Sequence, residues 1–99
     1  MKVSIQSVHF DATEQLQSFI QKKVAKLEKY DEEIKAVEVV LKVVKPESAE
    51  NKHVGIKVTV PGNEMYADRI CDTFEEAVDL SLDALKKQLT KNKEKSRGK

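Results

Sequence analysis

Three residues in this chain are of types that carry catalysis or metal binding: His9, His53 and Cys71. Nucleophilic or acid–base chemistry needs a nucleophile with a base in reach, held in a convergent constellation, and no recognisable motif surrounds any of the three. The two histidines read as strand residues and Cys71 as a small packed residue. No Cys or His pair has the spacing of a structural zinc site, the carboxylates lack the Asp-rich loop of a calcium site, and there is no glycine-rich phosphate loop. Asp79 and Asp83 stand one helical turn apart, as paired acid–base carboxylates would. Local charge pairing accounts for them better, because Asp83 precedes Lys86 and Lys87 at helical reach and such pairs support a helix by ~0.2 to 0.5 kcal/mol. The residues point away from an enzyme, and they call for neither metal nor cofactor nor small-molecule substrate.

Lysines are the other chemistry on offer. At ~100° per residue Lys22, Lys26 and Lys29 fall within about 60° of one another, well away from the apolar stripe Leu16, Ile20, Val24 and Leu27. Lys23 lies between ridge and stripe, where its stem covers apolar surface and its ammonium reaches outward. Further along, Lys87 and Lys91 share a line and Lys86 flanks a second apolar stripe. If the two helices pack side by side, these lysines border one outward surface that Lys93, Lys95 and Arg97 extend. Such an array suits a phosphate backbone. The competing reading is a solvated helix face, since lysine serves solubility on many surfaces. A sheet that reads RNA bases would need exposed aromatics on its central strands, and only Tyr66, near a strand edge, is available. Arg69 is a weaker candidate, expected to pair with Asp68 or Asp72.

The elements that position these lysines follow from periodicity. Residues 2 to 9 alternate with Val3 and Ile5 on one side, a first strand. Asp11 or Thr13 caps an amphipathic helix that runs to about Tyr30. Residues 36 to 45 place Val37, Val39, Leu41 and Val43 on one face of a second strand. The segment 45 to 52, with Pro46, is a loop. Val54, Ile56, Val58 and Val60 alternate as a third strand, Pro61-Gly62-Asn63 turns the chain, and Met65 to Ile70 is a fourth. Thr73-Phe74-Glu75-Glu76 has the form of a capping box and opens a helix whose stripe of Phe74, Val78, Leu82, Leu85 and Leu89 runs to about Thr90. The expected fold is α+β: a two-layer βαβββα sandwich whose four-stranded, mostly antiparallel sheet carries two helices on one face. Residues 1–91 form the single domain, and residues 92–99, without an apolar residue, a flexible basic tail.

Composition agrees. In 99 residues, 39% are hydrophobic, 35% charged and only five aromatic, which describes a small core under a charged skin. The net charge of +1 conceals an uneven pattern: residues 72 to 83 carry five acids and no base, whereas residues 86 to 99 hold seven bases against Glu94 alone. The single cysteine rules out an internal disulfide, and no apolar run approaches the ~18 to 20 residues of a membrane span. Cytoplasmic residence is the simplest reading, with no membrane partner.

Two segments add a resemblance. Ala25-Lys26-Leu27-Glu28-Lys29-Tyr30 resembles the end of the first helix of the ribosome hibernation factors, also called ribosome-associated inhibitor or sigma-54 modulation proteins. Ala77-Val78-Asp79 through Leu85-Lys86-Lys87-Gln88-Leu89-Thr90-Lys91 resembles that family's last helix and is the more diagnostic of the two. The resemblance covers nearly the whole chain. It implies a βαβββα fold similar to double-stranded RNA-binding domains, and binding to the small ribosomal subunit in the channel for messenger and transfer RNA, with translation blocked by occupancy. Carried over by position, it implies rRNA contacts for Lys23, Lys26, Lys29, Lys86, Lys87 and Lys91, to which helix geometry adds Lys22. Thr73-Phe74-Glu75 departs from the Asp-Met-Tyr of many members, placing a carboxylate where they have tyrosine. With an end at Lys99 the chain resembles the short form, which lacks the C-terminal domain through which the long form dimerises ribosomes, and it is expected to be a monomer off the ribosome. The competing function is a small protein-interaction or regulatory module that does not bind RNA.

Overall fold

A computed structural model describes residues 1–8, 10–44 and 50–97, the last five of these by backbone alone. The elements run β1 (Lys2–Val8), α1 (Glu14–Ala25), a 3-10 turn (Lys26–Lys29), β2 (Ala36–Val43), β3 (Lys52–Val60), β4 (Asn63–Cys71) and α2 (Phe74–Arg97). His9 and most of the loop with Pro46 lie outside the described residues.

The four strands form one sheet in the order β1-β2-β3-β4. β2, β3 and β4 are antiparallel neighbours, but β1 pairs parallel to β2. The sheet is therefore mixed, with one parallel pair within the mostly antiparallel arrangement expected. The reason is α1: a helical crossover returns the chain to the edge it left, so the next strand enters in the same direction. Between β3 and β4 the link is only Pro61-Gly62, with Val60 facing Asn63 and Gly62 at φ +77°. Proline then a positive-φ glycine is the signature of a type II turn.

Register stacks the apolar positions in rows across the sheet: Val3, Val37, Val58 and Met65, then Ile5, Val39, Ile56 and Ala67. Onto this face the helices lower their stripes, and Ile20, Val24, Leu27, Val78, Leu85 and Leu89 are completely or almost completely buried. At ~25 cal/mol per Å² of apolar surface, this interlayer burial is the main force holding helices to sheet. Both helices start as their caps dictate. The Thr13 hydroxyl accepts from the Leu16 amide at 3.1 Å, so Thr13 rather than Asp11 is the cap, and the Thr73 hydroxyl accepts from the Glu76 amide at 3.1 Å.

The ends differ from expectation. α1 stops at Ala25 and tightens into the 3-10 turn, where Tyr30 and Asp31 both donate their amides to the Leu27 carbonyl, at 2.9 and 3.2 Å. α2 keeps a helical backbone to Arg97, beyond the Thr90 where its apolar stripe ends. Residues 91–97 contain no glycine or proline to break the helix. Two contacts hold the second half of α2 to the sheet edge. Gln88 Nε2 donates to the Tyr66 carbonyl at 3.1 Å, and Asn63 Nδ2 donates to Asn92 Oδ1 at 3.2 Å.

Candidate nucleic-acid interface

The helices touch in matching order along their lengths. The Phe10 ring stacks on Phe74 with centroids 4.9 Å apart, Lys23 Nζ lies 3.2 Å from Asp79 Oδ1, and Lys86 Nζ sits 5.6 Å from the centre of the Tyr30 ring. Residue numbers rise together on both sides of these contacts, so the helices run side by side in the same direction. Parallel packing brings the two lysine patterns into one helix layer. Asp72, Glu75 and Glu76 lie at the start of α2, Lys22, Lys26 and Lys29 in the last turn of α1 and the 3-10 turn after it, and Lys86, Lys87 and Lys91 in the second half of α2, with Glu28, Glu32 and Glu33 exposed near the first lysine set in the chain. The acids in the first turn of α2 and the lysines in the last turn of α1 sit where the helix dipole favours them.

The seven lysines singled out from the sequence divide into two sets. Lys22, Lys26, Lys29, Lys87 and Lys91 are exposed and have no ion pair among the described residues. The other two, Lys23 and Lys86, are partly covered and engaged. Lys23 pairs with Asp79 across the helix interface and lies 5.5 Å from the centre of the Phe19 ring. Lys86 pairs with Asp83 at 3.8 Å as well as capping Tyr30. Asp79 thus serves the interface between helices rather than pairing within its own helix. The 3-10 turn changes the geometry of the first ridge, because at 3.0 residues per turn side chains at i and i+3 eclipse, and Lys26 and Lys29 stand in line. Lys86, Lys87, Gln88, Thr90 and Lys91 border an open groove along α2. Lys91 also borders a second groove with Asn63, Glu64 and Asn92 at the β4 edge. Lys93, Lys95 and Arg97 belong to the helix, but their side chains lie outside the described residues.

Arg69 donates from Nη1 to the Asp68 carbonyl at 2.6 Å, not to either carboxylate expected for it. The Asp68 carboxylate instead meets His53 Nε2 at 3.1 Å on the outer sheet face. This face is electrically mixed: Lys57 lies 4.0 Å from Glu38 and 3.5 Å from Glu64, and the Tyr66 phenol lies against Gly55. Burial, with Asp68 adding, pushes the Tyr66 hydroxyl up from its ordinary range. Cys71 is buried at the end of β4, and burial first, then Glu76, Glu50 and Asp72, pushes its thiol up, with Arg69 opposing. A thiol held protonated is a poor nucleophile, which leaves Cys71 its packing role. Among the described residues no cluster of three or more histidine, cysteine or carboxylate side chains could hold a metal, and no helix is long and apolar enough to cross a membrane. One surface residue was not singled out from the sequence. Tyr30, at the end of the lysine-rich turn, leaves 39% of its surface exposed beside Lys86. Its signal was an aromatic ending a basic turn, which also reads as an ordinary helix end.

Fold and surface together define a small α+β domain that carries exposed lysines on its helix layer. The chain belongs to the family described as Sigma 54 modulation protein / S30EA ribosomal protein, which matches residues 3–97. It is 37% identical over 100 residues to a ribosome hibernation promoting factor of Escherichia coli K12, covering 96% of each chain. It is 32% identical over 95 residues to a protein of the same name from Pseudomonas putida KT2440, covering 96% of this chain and 89% of that one. Among solved structures, a ribosomal subunit interface protein from Coxiella burnetii superposes with a TM-score of 0.83 at 24% identity, over 94% of this chain and 98% of the other. The N-terminal domain of Thermus thermophilus Protein Y gives 0.78 at 20% identity, over 92% and 98%. At these identities the two structures establish the fold alone.

Proposed function

We propose that this protein is a cytoplasmic ribosome hibernation factor. In this reading it occupies the messenger and transfer RNA channel of the small ribosomal subunit and blocks translation by filling it. Lys22, Lys23, Lys26, Lys29, Lys86, Lys87 and Lys91 contact rRNA phosphates, and the protein acts without enzymatic chemistry or cofactor. The names of its curated relatives support hibernation as the process. The observation that carries the RNA contact is the presence of five exposed lysines without ion pairs among the described residues, Lys22, Lys26, Lys29, Lys87 and Lys91, on the layer formed by two parallel helices. Holding like charges together without internal partners opposes folding slightly and favours a polyanion on the outside.

The test is sedimentation of purified protein with isolated small subunits. Binding at low salt that is lost at high salt, together with inhibition of translation in a cell-free extract, is the expected outcome. Co-sedimentation indifferent to salt, or inhibition with no ribosome bound, would refute it. Either result would favour a protein-interaction module.

A further inference from the structure

Four of the five aromatic residues have evident structural places. Phe74 is buried, Phe10 stacks on it, Phe19 packs partly against the core, and Tyr66 lies on the outer sheet face against Gly55. Tyr30 is the exception. It follows the 3-10 turn as its C-terminal cap and takes no part in the buried stripe of Leu16, Ile20, Val24 and Leu27. The residue is 39% exposed although Lys86 Nζ rests 5.6 Å from the centre of its ring, and no other exposed aromatic belongs to the helix layer among the described residues. Lys29 precedes it directly, Lys26 stands in line with Lys29, and Lys87 follows its cationic partner. Glu28 and the Asp31-Glu32-Glu33 run neighbour Tyr30 in the chain, but the charge that lies over its ring is the Lys86 ammonium, and Lys29 precedes it. An aromatic face beside such cations matches single-stranded nucleic acid, in which phosphates meet the cations while an unstacked base lies on the ring. A continuous duplex offers phosphates but no free base face.

We propose that Tyr30, steadied by Lys86 and flanked by Lys26 and Lys29, stacks on an unpaired base of the bound RNA, so that this surface prefers RNA with a splayed-out nucleotide over duplex. The proposal rests on the RNA-binding reading above and adds the kind of RNA element recognised. The lysines alone would favour whichever RNA is denser in charge, which is the duplex. Stacking reverses that order.

The chain has no tryptophan and two tyrosines, so a Tyr66→Phe protein emits tyrosine fluorescence from Tyr30 alone. Titrate it with a short single-stranded RNA of mixed sequence, and separately with the duplex of that RNA and its complement. Follow fluorescence, and follow binding independently by anisotropy of a dye on the RNA. The expected result is saturable quenching that tracks binding of the single strand, with little quenching by the duplex. Tyr30→Phe keeps single-strand affinity. Tyr30→Leu, with an unchanged melting temperature, loses about five- to hundredfold for the single strand and little for the duplex. Single-strand binding without quenching, equal quenching by the duplex, or equal losses for both RNAs in Tyr30→Leu would overturn the stacking role and leave the lysine interface standing. If neither RNA binds, the stacking role falls, and sedimentation with small subunits decides the lysine interface separately.

Discussion

Lys23 on α1 and Asp79 on α2 meet at 3.2 Å across the helix interface, and their side chains remain 35% and 49% exposed. A pair this open contributes at most about 1 kcal/mol to stability. Its larger effect is on the surface, where Asp79 neutralises Lys23, whereas Lys22 of the same helix has no ion pair among the described residues. Asp79→Ala is therefore expected to change folding stability by less than about 1 kcal/mol while raising affinity for small subunits, since it frees Lys23 and removes a carboxylate from the phosphate-facing side. By the same argument Lys23→Ala should weaken binding less than Lys26→Ala. Thermal melting and sedimentation at fixed salt measure both, and a loss of affinity in Asp79→Ala would show that the pair itself holds the binding surface in shape.

The core makes a separate prediction. Leu85 is fully buried where α2 faces the sheet. Leu85→Ala leaves a cavity and should cost about 2 to 5 kcal/mol. Lys87→Glu, on the exposed face of the same helix, should cost little stability and weaken ribosome binding. Denaturant unfolding of the two variants checks this division. Equal stability losses would mean that the helix has been assigned the wrong inner face.

The limits of sequence reasoning lie at particular residues. The rows Val3–Val37–Val58 and Ile5–Val39–Ile56 were legible because a period of two exposes the buried face of each strand separately. The parallel pairing of β1 to β2 was less so, since it depends on where the crossover helix returns the chain. The 3-10 turn at Lys26–Lys29 has no glycine or proline to announce it, and it arises from the sharing of one carbonyl, that of Leu27, by two later amides. The candidate surface was legible as two lysine ridges. That Lys23 and Lys86 are engaged was not, because Asp79 and Tyr30 reach them only through the packing of the two helices.

Cys71 gives a prediction in pH. Its folded thiol is raised above the ordinary range, mainly by burial, so the neutral form is the one that folding favours. The stability this confers is complete below the thiol's unfolded pKa and is lost as pH rises through the folded one. Alkylation of the native protein at mildly alkaline pH should be much slower than that of the unfolded chain. On raising the pH through and above the ordinary thiol range, stability should fall more steeply in the parent than in Cys71→Ala. Native and denatured alkylation rates, with melting temperatures across that range, test it. Equal rates would mean that the thiol is neither buried nor held protonated.

Salt provides the broadest test of the interface. Each phosphate neutralised by a lysine releases condensed counterion, so log affinity falls linearly with log salt, by ~0.7 to 0.9 per contact for simple nucleic acids. The five lysines without ion pairs among the described residues, Lys22, Lys26, Lys29, Lys87 and Lys91, set a slope of about 4 if each meets a phosphate, and Lys23 and Lys86, which exchange a carboxylate for their phosphate, add less than one each. Removing Lys91 should lower the slope by roughly one and weaken binding at every salt concentration. Asp79→Ala should move it the other way, because Lys23 then meets phosphate without first giving up a carboxylate. Truncation of residues 93–99 distinguishes steering from docking: a tail that only steers slows association, whereas a docked tail speeds dissociation. Affinities for the small subunit measured over a range of potassium chloride give the slopes, and stopped-flow rates give the truncation result. A slope near zero in the parent protein would remove phosphate contact as the basis of binding, whatever the lysine variants do.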